Sequence, residues 1–531
     1  MRKTPLRSNV VPLSAIRTQQ VQRAQKFKSL PTSLPAPIGG WNARDSIADM
    51  DPKDAVELLN WFPSTADVMV RKGYTQWATG LNAQVESLMV YNSATSNKMF
   101  AAAGSSFFDV SNSGAVGAAV VTGLSNSRWQ HVNITTSGGS FLLNVNGTDK
   151  LRGYNGTVWW TDGDGSHDIT GVDTATCSNI NLFKNRVWLV QNNSLKAWYL
   201  PLNSIAGAAN ALDFSGIARK GGHLVAMGTW TIDAGTGSDD LAVFMTSQGE
   251  VIVYQGTDPS FASTWALVGV WALGSPIGNR CFFKWEGDIL LISFDGVEPL
   301  TKALQSSRGN PSVALTDKIK GAMSNATQLY PNNFGWQLQY YAKASMLILN
   351  VPVGQGVNQE QWCMNTITGA WGQFQGWAAN CWEIFNDEPY FGGNGFVGQG
   401  WNTFSDVMGN ITATAIQAFN YFGSHGQTKR WQLMRPIVQT NGVPTVFSGL
   451  NVDFNVNPPV GSLSFSPTAY GLWDSAVWDA GVWGGGLNVT QAWQGVNAIG
   501  KCAAPAMLVE TGGIEVHWAA TDLVMEKGWI V

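Results

Sequence analysis

The chain has 531 residues, more than one compact core usually holds, so two or three packed units are expected. It is 44% hydrophobic but only 13% charged, about half the usual charged share, and its 59 Gly, 21 Pro and 25 Trp argue against long helices and for an all-β chain. The first thirty residues carry seven basic residues and no acid; removing those seven from 32 Lys and Arg leaves 25 against 36 Asp and Glu, so residues 31–531 carry −11. A body of that sign fits a strong DNA binder poorly, since such proteins neutralise backbone phosphates with Lys and Arg.

Residues 1–35 form a basic arm with Arg2, Lys3, Arg7, Arg17, Arg23, Lys26 and Lys28. Such an arm suits nucleic acid, an acidic partner surface, or a solvated tail. Its LSAIRTQQVQRAQKFKSL stretch has a weak apolar stripe with Ser14 as cap, a helix that would fold on a partner. The arm lacks the apolar centre of a secretory signal, and no run of about 18 apolar residues suggests a spanning helix, so no membrane insertion is expected. Residues 36–84 are expected to join a platform domain. Within them DPKDAVELLNWF predicts a helix over 51–62, with Asp51 as N-cap, Pro52 in the first turn, and Ala55, Leu58 and Leu59 on one face.

From 85 to 404 the chain repeats short apolar runs separated by Gly, Asn or Asp turns. Units start near residues 85, 129, 178, 223, 279, 335 and 380, about 49 apart, which is the form of a β-propeller of six to eight blades, seven favoured. An array of β-sandwiches is the competing arrangement. A further helix is predicted in ALTDKIKGAM, where Leu315, Ile319 and Met323 recur every four residues. Residues 405–531 turn to longer strand-like stretches and predict a β-sandwich-like domain. Inside it, LWDSAVWDAGVWGGG spaces Trp473, Trp478 and Trp483 by five, which suits neither a helix face nor a strand face. The stretch is read as a glycine-terminated loop contacting another subunit or an adaptor.

Catalytic and metal motifs are missing. The five cysteines form no CxxC pair, which leaves free thiols in a reducing cytoplasm as the reading, and the five histidines show no zinc spacing. TDGDGSHD sets Asp162, Asp164, Ser166 and Asp168 at alternate positions like part of a calcium loop, but without its terminal Glu, so a polar turn is the stronger reading. The doublets Asp387-Glu388 and Asp239-Asp240 are glycosidase candidates by residue type, yet neighbours on a strand point to opposite faces. Tryptophans such as Trp188 and Trp198 sit inside alternating strands, where packing is their default role. No enzyme activity, cofactor or metal is therefore expected.

Several stretches together resemble one family: PIGGWNARDSIADMDPKDAVELLNWFPS leading into VMVRKGYTQWATGL, then FKNRVWLVQNNSLKAWYLPLNSIAGAA, EVIVYQGTDPSFASTWALVGVWALGSPIGNRC, NVPVGQG with MNTITGAW, and NDEPYFGGNGFVGQGW. They resemble the tail hub or nozzle proteins of short-tailed, podovirus-like bacteriophages, also called packaged-DNA stabilisation proteins. The likeness runs from about residue 36 to the end and leaves the basic arm outside it. It implies a propeller on a β-rich platform built from both chain ends. It also implies a homo-hexameric ring below an adaptor ring and portal, assembled in the host bacterial cytoplasm into the virion tail. Such a ring passes and retains double-stranded genomic DNA without reading its sequence, and carries tail fibres or spikes. The arm is then expected to touch the ring above. Two other classes stay open from the residues alone: a propeller glycosidase acting on a host polysaccharide, and a glycan-binding adhesin using its tryptophans.

Overall fold

The structure, a computed structural model, describes residues 29–233, 238–306, 313–407, 409–459, 461–463 and 487–530. The chain is all-β, a seven-bladed propeller joined to a β-sandwich. Blade 2 is an antiparallel sheet of Gln130–Thr136, Gly139–Val145, Arg152–Tyr154 and Trp159–Thr161. Blade 3 is built from Cys177–Phe183, Arg186–Gln191, Lys196–Tyr199 and Asn210–Asp213, and blade 4 from Leu224–Asp233, Ser238–Thr246, Glu250–Gly256 and Trp265–Ala272. Blade 5 has three strands, Phe282–Trp285, Asp288–Ser293 and Gly296–Pro299. Blade 6 runs Gln337–Tyr341, Met346–Val351, Glu360–Asn365 and Trp371–Phe374.

Blades 7 and 1 share one strand. Gly73–Asn92 pairs through its first half with Asn394–Thr403, completing blade 7 outside Cys381–Phe385 and Glu388–Gly392. Its second half, from Val85, pairs with Asn97–Ala103 and becomes the inner strand of blade 1. The inner strands touch in sequence and the seventh returns to the first, so the ring is closed. Closure removes the large exposed faces that an open row of blades would leave.

Local chemistry sets the hairpins. Lys184-Asn185 and Asn386-Asp387 both take positive φ at two successive positions, as a two-residue hairpin turn between right-twisted strands requires. The second strands of the blades, such as RVWLVQ and MLILNV, read as continuous apolar runs because a neighbouring blade covers each face. A core fills every inter-blade gap: Phe107 with Trp129, Leu143 with Leu189, Trp188 with Phe244, Val243 with Leu291, Ile292 with Leu349, Ile348 with Phe391, and Tyr390 with Met99.

The sandwich draws on both ends of the described chain. One sheet centres on Gln427–Thr440 and Val516–Ile530, with Leu30–Pro35 paired antiparallel to the latter and Val68–Val70 and Trp61–Pro63 beyond it. The second sheet joins Asp54–Leu59, Ile411–Gln417, Ala503–Thr511 and Thr445–Val452, and connects to blade 6 through the pair Leu59 and Gln373. Trp61, Trp518, Val438, Val509 and Met507 are buried between them.

Three local expectations are corrected. Residues 51–62 form no helix: Asp51 does cap a turn through the Lys53 N–H, at 2.8 Å, but Asp54–Leu59 and Trp61–Pro63 are strands. Pairing with Ile411–Gln417 outweighs helix propensity there. The helix expected in 314–323 lies further on, at Lys320–Leu329, after a 3-10 turn at Asp317–Ile319, and it buries Met323, Ala326 and Thr327. Leu30–Pro35, placed in the arm from sequence, is a platform strand. The seven basic residues of the arm, its expected helix, and Trp473, Trp478 and Trp483 lie outside the described residues.

A titratable clasp joins neighbouring strands within one sheet of the sandwich. His517 Nδ1 lies 2.9 Å from Asp67 and Nε2 lies 3.0 Å from Glu515. Burial alone would lower the imidazole pKa, but the bonds to Asp67 and Glu515 raise it above its ordinary value. A raised folded-state pKa gives stabilisation that is complete below the unfolded value of about 6.5 and is lost as pH rises through the folded value. Urea unfolding of wild type and His517→Gln is therefore expected to differ most near about pH 6 and to converge as pH rises above the imidazole range.

Candidate functional site: the axial channel of the propeller

The seven inner strands leave a central cavity of about 430 Å³. Their polar side chains first serve the ring itself, because neighbouring inner strands do not pair through their backbones. Asn133 Nδ2 donates to the Val90 carbonyl at 2.8 Å, linking blades 2 and 1. Asn181 Nδ2 donates to the Met227 carbonyl at 2.7 Å, and Thr229 Oγ1 donates back to the Leu182 carbonyl at 2.8 Å, linking blades 3 and 4. Gln337 Nε2 donates to the Trp382 carbonyl at 2.7 Å while its Oε1 accepts the Trp382 N–H at 3.1 Å, linking blades 6 and 7.

Charged and titratable groups from different blades converge on the cavity: His131 from blade 2, Arg280 at the entry to blade 5 with Lys284 beyond it, and Glu383 from blade 7 beside the Cys381 thiol. His131 Nε2 and Glu383 Oε2 are 3.7 Å apart. Ringed by protein, both still keep about a fifth of their side-chain surface open to the lumen, 20% and 23%. Burial pushes the Glu383 carboxyl up to about 7, against the opposing pull of the Ile384 N–H and Arg280. Burial, helped by the Arg280 charge, pushes His131 down to about 4, so its imidazole is neutral near pH 7. Burial also lowers the Arg280 pKa from its ordinary value.

The Phe334 ring has Arg280 at 5.0 Å and Arg128 at 4.6 Å, both at cation–π distance. Arg128 pairs with Glu86 at 3.0 Å, and Glu86 Oε2 accepts from Ser127 Oγ at 2.6 Å. Glu383 is the one carboxylate among the described residues lining the cavity, where two-carboxylate glycoside hydrolysis needs a pair.

The carboxylates singled out from sequence serve turns and pairs instead. Asp162 is buried and accepts from the Ile169 N–H and the Thr174 hydroxyl, while Asp164 caps the N–H groups of Ser166 and His167. The TDGDGSHD carboxylates are thus occupied as turn acceptors. Among the described residues no three His, Cys, Asp or Glu side chains come together to hold a metal. Glu388 accepts from Tyr341 at 3.1 Å and from Lys343 at 2.5 Å, and Asp240 accepts from Lys184 at 3.0 Å. Trp188 is fully buried in the core between blades 3 and 4, and Trp198 donates to Gln191 at 3.0 Å. The described cysteines are all buried free thiols. His131, Arg280 and Glu383 were missed as a group; the available signal was an ionisable residue near the start of three units, in RWQHVNI, GNRCFF and CWEIF.

No protein-family model matches the chain, and no curated protein does. Among solved structures it is similar to BBS1N in complex with ARL6DN, at 12% identity and a TM-score of 0.28 over 43% of this chain and 72% of that one. It is also similar to a quinonprotein alcohol dehydrogenase-like protein from Bacteroides thetaiotaomicron, at 11% identity and a TM-score of 0.32 over 54% of this chain and 66% of that one. A third likeness is to Raptor of Chaetomium thermophilum, at 11% identity and a TM-score of 0.34, covering 61% of this chain and 29% of that one. The propeller assignment rests on the strand pairing and ring closure above.

Proposed function

We propose that the chain is a structural subunit of the tail nozzle, or hub, of a short-tailed bacteriophage. Six copies form a ring beneath the adaptor and portal rings, which holds and releases the double-stranded genome and offers attachment surface for fibres or spikes. The observation that carries the reading is the joint occurrence, from about residue 36 onward, of the sequence stretches quoted above. Three features support it. The propeller stands on a platform in which Leu30–Pro35 and Val516–Ile530 are adjacent strands. The body is acidic, so a lumen formed by several copies would let phosphates slide without sticking. Val489 in Asn488–Gln491, Trp493 in the link that follows and Ile499 in Gln494–Gly500 also stand exposed, an apolar edge suited to a subunit interface.

The duplex would run between subunits rather than through one propeller. A cavity of about 430 Å³ equals a cube roughly 7.5 Å on edge, whereas the major groove of B-DNA alone is about 12 Å wide. Electron microscopy of the purified chain and of virion tails is the test. A closed ring of six with an open central lumen is expected; a stable monomer absent from the tail would refute the reading.

A further inference from the structure

A buried charge is tolerated when something of opposite sign pairs with it. Arg280, half-buried in the cavity wall, departs from that rule in its own contacts. Its Nη2 donates to the Glu86 carbonyl at 3.0 Å, the Ser87 hydroxyl at 2.8 Å and the Trp129 carbonyl at 3.2 Å, and its Nη1 donates to the Gln337 amide oxygen at 3.2 Å. All four acceptors are neutral, and the Phe334 face supplies only partial compensation. The two acids that act on Arg280 through space are committed elsewhere. Glu86 is held by Arg128 and Ser127, and Glu383 Oε1 accepts the N–H of Ile384 at 3.1 Å. A guanidinium without a counter-ion in contact therefore forms part of the wall of a polar cavity.

We propose that this axial cavity binds a small oxyanion, a carboxylate or phosphate group, with the Arg280 guanidinium as its anchor. The volume lies within the range of small-molecule pockets. Glu383 is held partly protonated near neutral pH and then presents an O–H donor rather than a full negative charge. Gln339 adds an amide donor, and Lys284 reinforces the positive sign of the lining. A divalent cation fits badly, since Arg280 repels it and no third carboxylate, imidazole or thiolate joins His131 and Glu383 among the described residues. The inference does not rest on the nozzle reading and holds for a ring subunit or a monomer alike.

Isothermal titration of the full chain with inorganic phosphate and, separately, with citrate tests it, with tryptophan fluorescence followed in parallel because Trp129 and Trp382 line the cavity. Saturable binding at one site per chain is expected for at least one anion. Phosphate alone would mark a bare oxyanion site, and citrate alone a site for carboxylates on a carbon skeleton. Glu383→Gln holds the side chain neutral at nearly constant shape and is expected to tighten binding about twofold near pH 7 and by more as pH rises, while Gln339→Glu adds a negative charge and is expected to weaken it about tenfold. Arg280→Gln is expected to abolish binding. Because Arg280 also ties blades 1, 2 and 6 together, the two isosteric variants keep the test independent of that fold role. Absence of saturation with both anions in folded wild type and Glu383→Gln would overturn the proposal. Binding indifferent to both isosteric changes would overturn it too, by placing the anion elsewhere.

Discussion

Replacing Arg71 by methionine is expected to destabilise the protein by about 3–5 kcal/mol, the usual cost of breaking a buried ion pair by removing one partner. Arg71 is 1% exposed and sits where the chain leaves the sandwich for the propeller; Asp406 sits where it returns. The guanidinium is bidentate on Asp406, at 2.8 and 2.5 Å, and also donates to Asn60 Oδ1 at 2.9 Å and the Gln375 carbonyl at 2.6 Å. Its carbon stands 4.9 Å from the Trp377 ring. Removing it leaves Asp406 without its counter-ion and takes a donor from Asn60, Gln375 and Lys72 at once. Lysine keeps the charge but loses the planar fork and the stacking, so Arg71→Lys should fall between the two. Urea titration followed by tryptophan fluorescence measures the loss. The double variant Arg71→Met with Asp406→Leu is expected to recover part of it, because no uncompensated charge remains.

The second large effect is expected at Trp188. Its ring fills the gap between blades 3 and 4, with Tyr199 at 5.0 Å, Phe244 at 5.5 Å and Trp265 stacked at 5.7 Å. Trp188→Ala should cost about 3–5 kcal/mol, since the rings around it cannot collapse fully into the space. Trp188→Phe should cost much less. The indole N–H is buried without an acceptor, so phenylalanine gives up volume but also removes an unsatisfied donor. Thermal unfolding of both variants measures the volume contribution, because both remove the indole N–H. Equal losses would mean that filling the gap does not set the stability.

These residues also mark what could be read in advance. Seven unit starts were visible because each inner strand opens after a turn and is followed by a doubly covered apolar strand. The structural inner strands Gln130–Thr136, Cys177–Phe183, Leu224–Asp233, Phe282–Trp285, Gln337–Tyr341 and Cys381–Phe385 begin within a few residues of those starts. Residues 51–62 misled because a capped start and an apolar face are local signals, whereas the pairing of Ala55 with Gln417 is not. Ala503–Thr511 carries a weak strand signal although it is central to its sheet, since its Ala-Ala-Pro-Ala opening lacks β-branched residues. The channel site was illegible for a topological reason. His131, Arg280 and Glu383 each belong to a separate unit, and only closure of the circle brings them to one axis. Arg71 and Asp406 meet across 335 residues for the same reason.

The strand shared by blades 7 and 1 imposes an order in time. Gly73 pairs with Thr403, so its partner is made 330 residues later. At a synthesis rate of about 5–20 residues per second, the nascent N-terminal half of that strand waits roughly 15–65 s before its own partner leaves the ribosome. During that interval it presents an unpaired ladder to any neighbouring chain. When several copies are made on one message, the closing strand of one chain can be captured by the seventh blade of another. Faithful assembly thus depends on each propeller shutting on itself faster than its neighbours can reach it.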